Sequence, residues 1–323
     1  MTQVTIQKFE DTTIGLKRRD NQDSYLSESG LYLVADGMGG GVGGQLASST
    51  AISCFHRLRN APIRSRAMIE SCIREAQQRV EAIGEEKGAI AGTTLTGLIL
   101  KDMDLNNQED NSWYVINIGD SRTYHLSSLT NGSGWDMTTF SQLTHDHSQR
   151  QQAIDSGKML PNEAKRLIPR NIITQAIGSP DGVQPDFFKA DLEGRFIMCS
   201  DGIYGMIDET QMALLCSQNV TPETVVRNLI DAALDAGGDD NATVIVVDIK
   251  EDKNAIDPFT AFPEEIESTE EIHVPREWQA SRLSPEEDID SMNDYTLENL
   301  RVQAALSTPN NQTDDADIVE IEE

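Results

Sequence analysis

The chain has 323 residues, with 26 Lys+Arg against 54 Asp+Glu, a formal net charge of −28, 38% hydrophobic residues and only 5% aromatic. That is enough for one large domain or two small ones, and so acidic a protein repels phosphate backbones and anionic lipid head groups, leaving cations, metal ions and basic surfaces as partners. No apolar run approaches the about 20 residues that cross a bilayer. The N-terminus MTQVTIQKFED lacks a secretory leader, and Cys54, Cys72, Cys199 and Cys216 form no C-x-x-C pair, so a cytoplasmic protein without zinc site or disulfide framework is expected.

In chain order, the apolar run at 31–35 predicts a strand, and apolar residues three and four apart over 45–58 and 68–83 predict two helices inserted together. Strands follow at 94–100, 113–118 and 123–126. The polar stretch 142–190, carrying Pro161, Pro169, Pro180 and Pro185, reads as an inserted flap with one short helical pattern at 148–156. A strand at 196–199, a helix at 222–234 and a β-branched strand at 243–249 complete the set. Strands in groups with paired helices between them argue an α+β sheet protein rather than an alternating doubly wound fold, and no internal repeat is visible.

The charge divides the chain at about residue 250, since residues 251–323 hold 21 of the 54 acids and 4 of the 26 bases. That text is acidic, punctuated by proline and poor in large apolar residues, the composition of a largely disordered tail. Within it, Ser284, Pro285 and Glu287 are start signals for a short amphipathic helix over about 285–306, either transient in a solvated tail or used for docking. The tail is expected to be a docking or regulatory arm suited to a basic partner.

The chemistry-bearing signal is an apolar strand running into an aspartate and a turn residue. It occurs at Asp36-Gly37, Asp120-Ser121 and Asp201-Gly202, is echoed by Asp239-Asp240-Asn241 before the last strand, and a further acid, Asp23, precedes another short extended stretch. A single Asp-Gly is ordinarily just a turn. Several such carboxylates delivered to one cleft would repel each other unless hard divalent cations neutralise them, and an all-oxygen donor set suits Mg²⁺ or Mn²⁺ rather than zinc.

Eight blocks carry a family resemblance: Gly15-Leu-Lys-Arg-Arg-Asp-Asn-Gln-Asp23, Val34-Ala-Asp-Gly-Met-Gly-Gly40, Ala91-Gly-Thr-Thr94, Asn117-Ile-Gly-Asp-Ser-Arg122, Leu143-Thr-His-Asp-His-Ser148, Ile173-Thr-Gln-Ala-Ile-Gly178, Ser200-Asp-Gly202 and Asp239-Asp-Asn-Ala-Thr-Val244. Over about residues 8–250 the chain resembles the metal-dependent protein serine/threonine phosphatases of type 2C, in a bacterial form. The resemblance implies a central antiparallel β-sandwich flanked by helices on both sides, in α-β-β-α layers. It implies two central Mn²⁺ or Mg²⁺ ions bridged by Asp36, with the Gly37 carbonyl on one and Asp201 and Asp240 completing the other. Asp120, with Asp201, matches the position of a weaker third ion, Asp23 would hold metal-bound water, and Arg18 matches the substrate-phosphate arginine, whose planar fork suits bidentate binding. The implied reaction is hydrolysis of phosphoserine and phosphothreonine on proteins by a metal-activated water, by a monomer opposing a bacterial serine/threonine kinase.

The sequence departs from many eukaryotic relatives at Met38, where they carry a histidine proposed to protonate the leaving group; methionine cannot do so. His145 or His147 could serve if the flap folded over the site, although a loop histidine is more often simply solvated. Two rival readings are a catalytically silent phosphoprotein-binding relative and a dinucleotide-dependent enzyme. The second rests on Gly39-x-Gly41-x-x-Gly44 after a strand, and is opposed by the absence of an acid about twenty residues further on.

Overall fold

The apolar runs become strands because both faces of each are covered. The computed structural model describes residues 3–39, 42–88, 91–103, 112–130, 132–252 and 280–282. One sheet has five strands, in the order β1 (Gln3–Thr13), β12 (Ala242–Asp252), β11 (Gly194–Cys199), β8 (Arg122–Leu126) and β9 (Ser141–Gln142). The other has six, in the order β13 (Ala280–Arg282), β10 (Asp186–Asp191), β7 (Ser112–Ile118), β6 (Leu95–Leu100), β3 (Leu31–Ala35) and β2 (Ser24–Glu28). A small ribbon pairs β4 (Gly37–Met38) with β5 (Gly92–Thr93), and every pairing is antiparallel.

Alternation along the strands builds three apolar layers. In β3, Leu31, Leu33 and Ala35 face α1 (Val42–Phe55) and α2 (Arg66–Lys87), while Tyr32 and Val34 join the layer between the sheets. In β12, Ile245, Val247 and Ile249 fill that same layer. Ala242, Val244 and Val246 point the other way, against α5 (Asp201–Tyr204), α6 (Glu209–Cys216) and α7 (Pro222–Asp235). The expected α-β-β-α layering is the observed one. Helix α7 shows why such a segment is helical: the Thr221 side chain accepts from the Thr224 N–H, Pro222 opens the first turn, and Val225, Val226, Leu229, Ile230 and Ala233 form the buried stripe.

Several boundaries differ from the sequence expectation. Strand β1 was not predicted, because its apolar residues Val4, Ile6 and Phe9 are separated by polar ones and only partly buried. The flap, expected over 142–190, ends at residue 185, since β10 pairs with β7 from Asp186↔Asn117 to Asp191↔Ser112. Asp186, Lys189 and Asp191 disguised a strand whose Phe187 and Phe188 enter different apolar layers. Within the flap, α3 (Gln149–Asp155) matches the expected helix, and α4 (Pro161–Leu167) adds a second.

The last long strand, β12, runs two residues past the domain end expected near Lys250, to Asp252, and Ala280–Arg282 from the stretch read as tail pairs with β10. An edge strand offers unpaired backbone groups that an extended segment can satisfy. The expected helix over about 285–306 lies outside the described residues. No helix among the described residues is long and apolar enough to cross a membrane.

One buried ion pair ties the α6–α7 connection to the sheet. Arg195 donates to both carboxylate oxygens of Asp248 at 2.6 and 2.7 Å and to the carbonyls of Cys216, Gln218 and Val220 at 2.7 to 2.9 Å. Replacing Arg195 with Ala leaves a buried carboxylate and three carbonyls without their donor, and should lower the unfolding free energy in urea by about 3–5 kcal/mol. A loss under about 1 kcal/mol would show that the pair is not a structural tie.

Candidate active site

Strand register gathers the predicted acids at one end of the sandwich. Ser24 pairs with Ala35, so Asp23 before β2 and Asp36 after β3 share an end. Val34 pairs with Thr96 and Leu95 with Ile118, which brings the end of β7, and Asp120 beyond it, to the same place. In the other sheet Cys199 pairs with both Val244 and Arg122, setting Asp201 after β11 beside Asp240 before β12. The two sheets meet there directly, because the Ser200 and Thr243 hydroxyls donate to Asp23 Oδ2 at 2.8 and 2.7 Å.

Local contacts fix each carrier. The Asp36 N–H donates to Thr94 Oγ1 and its carbonyl accepts from the Thr94 N–H, both at 2.9 Å, while Thr94 Oγ1 pairs with Ser121 Oγ at 2.7 Å. Gly37 must be glycine, since a Cβ there would overlap the carbonyl oxygens of Gly44 and Gln22. The loop bearing Arg18 is stapled by Asn241, whose side chain accepts from the Gln22 N–H at 2.9 Å and donates to the carbonyls of Ile14 and Asp20 at 3.0 Å. Asn241 and Thr94 carried no assigned role; Asn241 stands beside Asp240 in the sequence, which was a signal, whereas no acid adjoins Thr94.

The charges oppose one another. Burial, reinforced by Asp23, Asp201, Asp120 and Asp240, raises the Asp36 carboxyl well above the ordinary range. Burial pushes Asp120 up to about 7, with Asp201 and Asp146 adding to it. Burial likewise pushes Asp23 up to about 6 against the two hydroxyl bonds it accepts. Asp201 is raised by burial, with Arg170 opposing. Buried Asp23 Oδ1 has no hydrogen-bond partner among the described residues.

Among the described residues, no three His, Cys, Asp or Glu side chains stand close enough to enclose an ion as they are placed. Two of the acids face guanidiniums instead. Arg18 Nη2 donates to Asp240 Oδ2 at 2.6 Å, and Arg170 Nε, from the flap, lies 3.8 Å from Asp201 Oδ2. Arg170 was not anticipated, as a lone arginine in a polar loop carries no signal until the loop is placed. The flap histidines are engaged elsewhere: His145 Nε2 lies 2.7 Å from Asp155, and His147 lies between the Gly119 N–H and Asp186. The dinucleotide reading fails on topology, since β3 pairs antiparallel on both sides and the described residues form no parallel β-α-β unit there.

No family model matches the chain. The protein phosphatase PhpP of Streptococcus pneumoniae is 31% identical over 257 residues, spanning 75% of this chain and 96% of PhpP. The chain belongs to the PP2C-type protein serine/threonine phosphatases. Within that family, the solved phosphatase MsPP from Mycobacterium smegmatis, in complex with cacodylate, is 31% identical with a TM-score of 0.64, covering 75% of this chain and 97% of its own. The catalytic domain of the phosphatase PstP, solved with two manganese ions, is 26% identical with a TM-score of 0.63, covering 76% and 99%. As a PP2C-type phosphatase in its bacterial form, the chain is a metal-dependent enzyme that dephosphorylates serine and threonine in proteins.

The raised carboxyls set a pH dependence for the metal-free phosphatase. Each binds its proton more tightly folded than unfolded, so its stabilising contribution is complete below its ordinary value of 3.8 and is lost as pH rises through about 6 for Asp23 and about 7 for Asp120. Urea unfolding of the metal-free protein should therefore show stability falling from pH 5 to pH 8, with a shallower fall in Asp120→Asn. A rising profile, or an equal slope in the variant, would contradict this origin.

Proposed function

We propose that Asp36, the Gly37 carbonyl, Asp201 and Asp240 would together hold two divalent cations, Mn²⁺ or Mg²⁺, with Asp36 central to the set. Asp120, together with Asp201, serves a weaker third position, and Asp23, with Oδ1 free, orients water beside them. The observation that carries this reading is the strand register that brings Asp36 together with Asp23, Asp120, Asp201 and Asp240 at one end of the sandwich, where burial and these acids oppose its ionisation. Such a hard, all-oxygen donor set fits a small divalent cation. The two manganese ions of PstP and the cacodylate of MsPP support the same reading.

When bound, the cations would offset the acids' repulsion and supply Lewis acidity, favouring an activated water and stabilising charge on the phosphoryl oxygens. The rest falls to the chain's own side chains. Arg18, half-exposed at the mouth, offers its fork to two phosphoryl oxygens, and its bond to Asp240 keeps it poised there. Arg170 brings a second positive charge from the flap. In the displacement the bond from phosphorus to the water oxygen forms as the bond to the serine or threonine oxygen breaks. The leaving oxygen takes its proton from water or from another side chain at the site, because Met38 has none to give and His145 and His147 are held by other partners.

The substrates are proteins phosphorylated on serine or threonine, and the opposing activity is a serine/threonine kinase. All four cysteines are buried and free, which supports a reducing cytoplasm as the working compartment. With a phosphothreonine peptide and Mn²⁺, Asp36→Asn should lower kcat/KM by roughly 10³-fold or more, and Arg18→Ala by roughly 10²-fold, with Arg18→Lys recovering only part. Full activity in Asp36→Asn would overturn the assignment.

A further inference from the structure

We infer that Arg122 is a positioning residue that latches the root of the flap, and the helix that starts at Asp201, onto the turn that carries Asp120. This rests on the proposed role of Asp120 at the weaker cation position.

Arg122 opens β8 two residues beyond Asp120, and its guanidinium has three arms. Nε and Nη2 donate to the two carboxylate oxygens of Asp146 at 2.8 and 2.6 Å, a bidentate pair at the start of the flap. Nη1 donates to the Tyr124 hydroxyl at 3.0 Å. The plane lies over Tyr204 at the end of α5, with Cζ 3.8 Å from the ring centroid. Tyr204 closes the circuit, its hydroxyl donating to the main-chain carbonyl of Asp120 at 2.8 Å.

The next flap residue grips the same turn from the other side. The His147 N–H donates to the Gly119 carbonyl at 2.9 Å, and the Gly119 N–H donates to His147 Nδ1 at 3.3 Å. His147 Nε2 lies 3.2 Å from Asp186 Oδ2 at the start of β10, and with Nδ1 accepting from Gly119 the proton belongs on Nε2. Asp146 and His147 thus bind the flap to the Gly119–Asp120 turn, while Tyr204 binds α5 to it. A shift of the flap root is therefore transmitted to Asp120, and one guanidinium sets the spacing of all three parts. Lysine would keep the charge but lose both the fork and the stacked plane.

The test uses the full chain with Arg122→Lys, Tyr204→Phe and Asp146→Asn. Tyr204→Phe keeps the ring beneath the guanidinium and removes only the bond to Asp120. Three readouts are taken: Mn²⁺ affinities by calorimetric titration, hydrogen exchange of the metal-free protein at residues 119–121 and across 143–185, and KM against kcat for a phosphothreonine peptide. Arg122→Lys should weaken the weaker Mn²⁺ position about tenfold with little change at the tighter ones, speed exchange at the flap root about tenfold, and raise KM proportionately more than it lowers kcat. Tyr204→Phe should reproduce the Mn²⁺ effect with little change in flap exchange. Wild-type exchange and wild-type Mn²⁺ affinities in folded Arg122→Lys would overturn the latch, and if that variant does not fold, the same result in both Tyr204→Phe and Asp146→Asn would do so. Only two Mn²⁺ in the wild-type protein would instead refute the role given to Asp120, leaving the exchange measurement to decide the latch.

Discussion

The mutual repulsion of Asp23, Asp36, Asp120, Asp201 and Asp240 is the constraint on which the rest of the molecule depends. Antiparallel register delivers all of them to one end of the sandwich, and burial there favours the neutral acids. The sandwich can hold this arrangement because its strength lies elsewhere, in three apolar layers and in ties such as Arg195 with Asp248. Hydroxyls on Asp23, the Thr94 hydroxyl on the Asp36 backbone and the guanidiniums of Arg18 and Arg170 soften the repulsion without removing it. A site of this kind is stable in itself only at low pH or with positive charge in it, and a phosphate ester needs that same positive charge.

The net charge of −28 therefore has two sources of different meaning. The acids after residue 250 belong to text whose composition favours solvation, and none of them is a candidate for the reaction. The acids at the strand ends are few, yet the burial of their carboxyls and their proximity to one another give them a large electrostatic weight. That an acidic protein acts on a phosphate group is thus no contradiction, since at the proposed site the phosphate would meet Arg18, Arg170 and cations rather than the surface average.

The convergence of the candidate site acids was more legible in the residues themselves than the strand pairing was. Asp36 and Asp201 stand out because a strand buried on both faces, such as β3 or β11, reads as an unbroken apolar run, so its end and the acid beyond it are sharply marked. The layered sandwich itself came from the family resemblance, because periodicity does not say which strands pair. Strand β1 was missed because its apolar side chains are sparse, and β10 because charged residues interrupt it and prolines precede it. Arg170 and Thr94 were legible only as polar residues, since their roles depend on residues far away in the chain that the fold brings to them.

The central claim is that the clustered carboxylates are a divalent-cation site centred on Asp36. The most direct measurement is thermal unfolding of the full chain over a Mn²⁺ titration, for the wild type and for Asp36→Asn. At a hundredfold excess over the dissociation constant, each bound ion adds about 2.7 kcal/mol, so two ions should raise the wild-type midpoint by about 10 °C or more, with most of that rise lost in the variant. A midpoint that Mn²⁺ leaves unmoved in the wild type, or raises equally in both proteins, would contradict the account.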